Sequence, residues 1–217
     1  MKPVTRRKAL YALGTAAIAL PLGVRLASAQ RFRTIEAIPA NDPALPIGGN
    51  ARGDLTIVAF LDYNCPFCRL SAPILADVVK SDGNIRLLYR DWPVLTEASV
   101  FGAQLAIAAN LQGRYEAAHR ALMGMTERRA SEATMTAAVQ AARLDWTRLM
   151  RDLDRHKPAI DALIKRNLAA ASQLSIRGTP SYLVGNVLAS APDRSGFGFA
   201  IAKARAEALH ARPPRPF

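Results

Sequence analysis

Cysteine is almost absent from this 217-residue chain: it has two, Cys65 and Cys68. A single pair excludes a disulfide-stapled scaffold. A bridge between positions three apart closes too short a loop to add much stability. Histidine is nearly as scarce, and His119, His156 and His210 are scattered. With the two cysteines they do not make the spacing of a four-ligand zinc site. The longest apolar stretch, Ala9 to Val24, is 16 residues and is interrupted by Pro21 and Gly23, short for a membrane span. No basic run is interleaved with aromatics, which argues against nucleic-acid binding. There is no internal repeat, no low-complexity block, and no long heptad stalk after Gln30 that would make an oligomer. Half the residues are apolar and 21% are charged, so the chain can build a core and is not disordered.

Acid is missing from residues 1–29, which carry Lys2, Arg6, Arg7, Lys8 and Arg25. The basic cluster, the apolar stretch and the small residues Ala27-Ser28-Ala29 read as a signal peptide cleaved before Gln30. Thr5-Arg6-Arg7-Lys8-Ala9-Leu10 also resembles a twin-arginine signal, with Ala9 departing from the large apolar residue usual there. An uncleaved anchor is the competing reading. Removal of the signal takes five bases from 29, leaving 24 against 17 acids, a charge of +7. The expected location is periplasmic or secreted.

Residues 30–53 hold Pro39, Pro43, Pro46, Gly48, Gly49 and Gly53 and read as an irregular leader. Leu55 to Leu61 is a continuous apolar run of strand formers, fit for a central strand buried on both faces. From Pro66 the period changes: Phe67, Leu70, Ile74, Leu75 and Val78 recur at helical spacing. Pro66 suits a first helical position, Pro73 falls inside the helix, and Asp82-Gly83-Asn84 ends it. Ile85 to Tyr89 reads as a second strand, parallel to the first. Residues 54–95 form this βαβ half. Residues 96–175 form a helical insertion, with helices near 97–111, 114–124, 131–143, 145–156 and 158–174. Ser131 and Asp145 are candidate N-caps. A C-terminal half spans 176–210, with a strand at Ser181 to Val184 and a helix near 197–209. Residues 211–217 are a Pro-rich tail. The pattern is one α/β domain with an inserted helical block.

The cysteine pair carries the chemistry. Cys65-Pro66-Phe67-Cys68 stands at a strand-to-helix junction, which is the setting of a redox motif. Cys65 at the helix N-terminus meets free N–H groups and the positive end of the dipole, which favour its thiolate. Cys68, one turn on and more buried, lies within bonding reach. Cys65 is therefore the expected nucleophile and Cys68 the resolving thiol. No cofactor is needed beyond the redox-active disulfide. Phe67 brings no charge or donor to the pair, so a less oxidising couple than the strongest oxidants is expected. Arg69 and Arg177 are candidates to flank the site, against a reading as ordinary solvated arginines. His119, with Tyr115 and Leu122 on one helix, reads as a packing histidine.

Asp62-Tyr63-Asn64-Cys65-Pro66-Phe67-Cys68, Pro73 and Gly178-Thr179-Pro180 together resemble the DsbA-like thioredoxin-fold disulfide oxidoreductases, near the bacterial Com1/ScsC-type members. The resemblance covers about residues 38–209. It implies a thioredoxin-like fold with an inserted helical subdomain. It also implies a cis peptide before Pro180, with Thr179 and Pro180 facing the pair and binding an extended substrate peptide. Trp92-Pro93 resembles an aromatic-Pro turn of that family. The chain departs from the family at Ala59, where a buried Glu is frequent and is thought to move a proton to or from the buried cysteine. Asp62, nearer the surface, reads as a helix-leading turn residue, with substitution for that acid as the alternative.

The resemblance implies a protein disulfide oxidoreductase acting on exported proteins by disulfide formation, reduction or isomerisation, with a redox partner that resets the pair. A monomer is expected. Two other classes compete: a copper- or other soft-metal-binding stress protein, because thiolates select Cu(I), and a non-catalytic chaperone on the same scaffold. No metal site beyond the two thiols is expected.

Overall fold

The computed structural model describes the backbone of residues 32–34, and residues 42–190 and 192–210. The segment expected to be a signal peptide, residues 1–29, and the Pro-rich tail lie outside them. Among the described residues six strands form one sheet in the order β1-β6-β5-β3-β4-β2. They are β1 (Phe32–Thr34), β2 (Ile47–Gly49), β3 (Leu55–Leu61), β4 (Ile85–Asp91), β5 (Ser181–Val184) and β6 (Val187–Ser190). β3 and β4 are parallel, from Leu55 opposite Ile85 to Leu61 opposite Asp91, and every other pair is antiparallel. Six of the seven β3 residues are buried, and its apolar run without alternation is what a strand covered on both faces requires.

Among the described residues six helices follow the same order: α1 (Pro66–Asp82), α2 (Glu97–Asn110), α3 (Tyr115–Met123), α4 (Glu132–Ala141), α5 (Trp146–Gln173) and α6 (Arg194–His210). α1 joins β3 to β4, so the βαβ unit is present as the sequence pattern predicts. Its end at Gly83 is a left-handed cap with φ 73°. Ser131 and Asp145 do cap α4 and α5, accepting the N–H of Thr134 and of Arg148. α1 and α6 cover one face of the sheet, where Tyr182 of β5 meets Ser71 of α1 and Phe197 of α6. α5 lies on the other face, where Arg90 of β4 donates to Asn167.

The structure departs from the sequence reading at four places. The stretch expected to be an irregular leader contains β1 and β2. A sixth strand, β6, follows β5 through the two-residue turn Gly185-Asn186, with Gly185 at φ 58°. The helices expected at 145–156 and 158–174 are one 28-residue helix with Pro158 inside it. Residues 154–159 are all exposed, so the carbonyl that proline leaves without a donor is open to solvent. Finally, Phe67 and Leu70 of α1 point outward, 63% and 68% exposed. The buried stripe is Cys68, Ser71, Ala72, Leu75, Val78 and Val79.

Candidate functional site

β3 ends at Leu61, and the turn from Asp62 to Cys65 leads straight into α1. Cys65 is the N-cap of that helix. Its N–H donates to the Asp62 carbonyl at 3.1 Å, and its Sγ accepts the N–H of Cys68 at 3.3 Å. A sulfur in the N-cap position thus takes a backbone donor that the helix leaves free. Pro66 occupies the first helical position, where a missing N–H costs nothing. Cys68, one turn on, is fully buried, whereas Cys65 keeps 3% of its exposure.

These surroundings separate the two thiols. Cys65 is brought down to about 6, first by the hydrogen bond with the Cys68 thiol; burial opposes this, and Thr179 and the N–H groups of Cys68 and Phe67 add to the lowering. Cys68 is pushed far up, mainly by burial and then by its neighbour Cys65. One sulfur is therefore an anion near neutral pH and the other a neutral thiol.

The chain returns to this point from far away in sequence. Thr179-Pro180 is a cis peptide, as the resemblance implied, and the Cys65 thiol donates to the Thr179 carbonyl at 3.3 Å. Thr179 is half-buried and Pro180 buried. Arg177 is exposed beside Gly178 and makes no approach to the sulfurs through any bond among the described residues.

The turn is held by side chains whose part the sequence did not disclose. Asp62 is 1% exposed, not near the surface, and its carboxylate accepts four hydrogen bonds. The donors are the N–H groups of Asn64 (2.7 Å), Val94 (2.8 Å) and Leu95 (3.0 Å) and the hydroxyl of Ser99 (2.7 Å). A carboxylate so fully engaged fastens the turn to the start of the helical insertion; the reading of Asp62 as a mere leading residue is corrected on this ground. Asn64 is also buried and bonds Thr96 and both backbone groups of Ala130. Arg69 is not a solvated arginine. Its guanidinium donates to the carbonyls of Tyr63 and Glu127 and to the Asn64 amide oxygen.

Ala59, the position where the family often carries a buried acid, is paired with Tyr89 on one side and Tyr182 on the other. Two residues beyond Tyr89 on the same face is Asp91, a buried carboxyl 2.9 Å from the Tyr115 hydroxyl. Burial pushes Asp91 up to about 7, while hydrogen bonds from Tyr63 and Tyr115 act the other way. His119 lies in the same cluster with its Nδ1 3.1 Å from the Tyr63 hydroxyl and its ring stacked on Tyr115. Burial lowers it to about 3, so it is a neutral packing histidine, as its helix position suggested. The Trp92 ring packs edge-on against Phe60, and its backbone N–H donates to the Leu61 carbonyl at 2.7 Å. His156 and His210 are exposed and remote in sequence from the pair. Among the described residues no group of three or more His, Cys, Asp or Glu side chains is placed to hold a metal ion, and no helix is long and apolar enough to cross a membrane.

Comparison with known proteins agrees with this geometry. The thioredoxin family model matches residues 42–202, and the chain belongs to that family. A thioredoxin-like oxidoreductase of solved structure from Silicibacter pomeroyi DSS-3 is 41% identical. The match covers 76% of this chain and 95% of that one, with a TM-score of 0.72. The catalytic domain of ScsC from Proteus mirabilis shares the fold, with a TM-score of 0.67 at 24% identity, covering 77% of this chain and 92% of that one. A curated Na(+)/H(+) antiporter, NhaA 3 of Salinispora tropica, is 25% identical over 175 residues, 75% of this chain. The chain spans only 26% of that relative's length.

Proposed function

We propose that this member of the thioredoxin family is a thiol–disulfide oxidoreductase that exchanges disulfides with exported proteins or peptides through Cys65 and Cys68. The observation that carries this reading is the unequal pair: a cysteine at a helix N-terminus held near 6, above a buried cysteine held as a neutral thiol.

In the oxidising direction a substrate thiolate attacks Sγ of Cys65 in the Cys65–Cys68 disulfide. The new bond joins substrate sulfur to Cys65, and the Cys65–Cys68 bond breaks. Cys68 leaves with the electron pair and takes a proton, because its buried site disfavours the anion. The second substrate thiolate then attacks the substrate sulfur, and Cys65 leaves as a stable thiolate. Two electrons pass from the substrate dithiol to the pair, and a redox partner removes them. The same steps reversed reduce a substrate disulfide. A leaving thiol of low pKa departs readily, which favours the first direction, although Phe67 adds no charge to push it further.

Thr179 and Pro180 are the expected substrate-binding residues, presenting backbone groups to an extended peptide laid beside Cys65. Phe67 and Leu70, exposed on the helix that bears the pair, offer apolar surface to the same peptide. The basic, acid-free N-terminal segment favours a periplasmic or secreted site of action.

The test is the reduction potential of the pair, read by equilibration in glutathione buffers. A value between ~−200 and ~−120 mV supports an oxidant weaker than the strongest of its kind. A value at or below ~−200 mV moves the reading to a reductase or isomerase. The absence of a reversible couple would sink it and bring forward soft-metal binding or a chaperone role.

A further inference from the structure

The loop between α3 and α4 is tied to the active-site turn at two points. Its Glu127 carbonyl accepts from the Arg69 guanidinium. Its Ala130 is bonded both ways by Asn64, the residue just before Cys65: the Ala130 N–H donates to Oδ1 at 2.8 Å, and Nδ2 donates to the Ala130 carbonyl at 3.1 Å. Between these anchors lie Arg128 and Arg129. Both are exposed, and neither forms an ion pair among the described residues.

The other charges around the turn already have work to do. Glu127 acts on Arg69. Asp62 is buried under four donors. Glu97 and Glu132 lie in the first turns of α2 and α4, where their charge complements the positive ends of the helix dipoles. Across the site Arg177 is exposed beside the Thr179-Pro180 loop. The rim of the site thus carries uncompensated arginines on the loop clamped to Asn64 and another at the opposite loop.

We propose that Arg128 and Arg129 select substrates whose reacting cysteine is flanked by acidic residues. The inference rests on the exchange reading above and names the substrate class for that site. The arginines take no part in the electron transfer; they raise the encounter rate of an acidic segment with Cys65. Charges at an exposed rim act on association in this way, and salt screens them over ~10 Å.

The experiment uses three peptides, each with two cysteines, flanked by Glu, by Ser or by Lys. Stopped-flow rates are measured for the oxidised full chain and for R128E/R129E. Each rate is divided by that of the Ser-flanked peptide with the same protein. The Glu-to-Lys ratio of the variant is then compared with that of the natural protein, which cancels the intrinsic reactivity of the peptides. The expected result at low ionic strength is a Glu-to-Lys ratio about tenfold higher in the natural protein than in the variant. That difference should shrink to within about twofold near 0.5 M salt. An equal ratio in both proteins, or one that salt does not move, overturns the inference while the exchange reading stands. If even the Ser-flanked peptide transfers no electrons to the pair, both fall.

Discussion

Tyr182 stands directly opposite Ala59 in the β3–β5 pair, and its hydroxyl is bonded to Ser71 on the helix that carries the cysteines. Both groups are buried. A phenol thus provides the polar group beside a strand position that carries only a methyl. Tyr182→Phe keeps the ring packed on Phe197 but strands the Ser71 hydroxyl. The expected cost is ~1–3 kcal/mol in urea unfolding of the reduced protein. Tyr182→Phe with Ser71→Ala should recover part of that loss, because neither group is then left unpaired.

Asp62→Ala removes an acceptor from four donors at once, three of them backbone N–H groups. The expected destabilisation is on the order of 3 kcal/mol, since each donor is left without a partner in a buried place. The loss should not be confined to stability. With the turn unfastened, the Cys65 thiolate should titrate at higher pH, read by thiolate absorbance in the ultraviolet. Unchanged titration in a folded Asp62→Ala protein would show that the carboxylate does not position the pair.

The folded reduced protein holds Cys65 near 6, below the ordinary thiol range near 9. A depressed folded pKa stabilises the reduced form fully above pH 9, and that stability is lost as pH falls through 6. Cys65→Ser should lack this dependence. Phe67→His, at a position too exposed to disturb the core, should lower the Cys65 titration further and raise the reduction potential, by ~30 mV for each ~1.4 kcal/mol gained by the reduced state.

Asp91 has the opposite sign. Its folded pKa is raised to about 7 from an ordinary value of 3.8. Its contribution is fully present below pH 4 and is lost as pH rises through 7. Between pH 5 and pH 8 the wild type should lose on the order of 3 kcal/mol relative to Asp91→Asn, at ~1.4 kcal/mol per unit over the two units from pH 5 to about 7. Urea unfolding of the two proteins at pH 5 and pH 8 reads the difference. His119, lowered to about 3, works the other way and costs stability as pH falls below 6.5. The comparison at pH 5 and 8 therefore uses Asp91→Asn with His119 intact in both proteins.

Much of the site lay open in the sequence because its chemistry is local. A cysteine at the end of an apolar strand run, with a proline after it and a second cysteine one turn on, fixes helix start, dipole and pair spacing together. Gly178-Thr179-Pro180 was legible only through the resemblance, since a turn of that composition says nothing of a partner 114 residues away. The sixth strand has a local signal in the sequence: Gly185-Asn186 between Val184 and Val187 is a two-residue hairpin turn. β2 had less, because Ile47-Gly48-Gly49 resembles a loop until Leu88, Leu87 and Arg86 of β4 pair with it.

By itself the sequence determined the redox pair, the βαβ frame around it, the helical insertion and its caps, because each depends on residues a few positions apart. Only the tertiary structure decided what surrounds the pair. Asp62, Asn64 and Arg69 are polar and read as surface residues one by one. They are buried or engaged because the chain after β4 supplies partners: the Val94 and Leu95 backbone just before the insertion, and Thr96, Ser99, the Glu127 carbonyl and Ala130 within it. Phe67 and Leu70 read as core and face outward, because small Cys68, Ser71 and Ala72 let α1 sit close on the sheet with the other stripe inward. A hydrogen bond stabilises a buried polar group only where its partner is brought to it, and that meeting of distant segments is set by the fold.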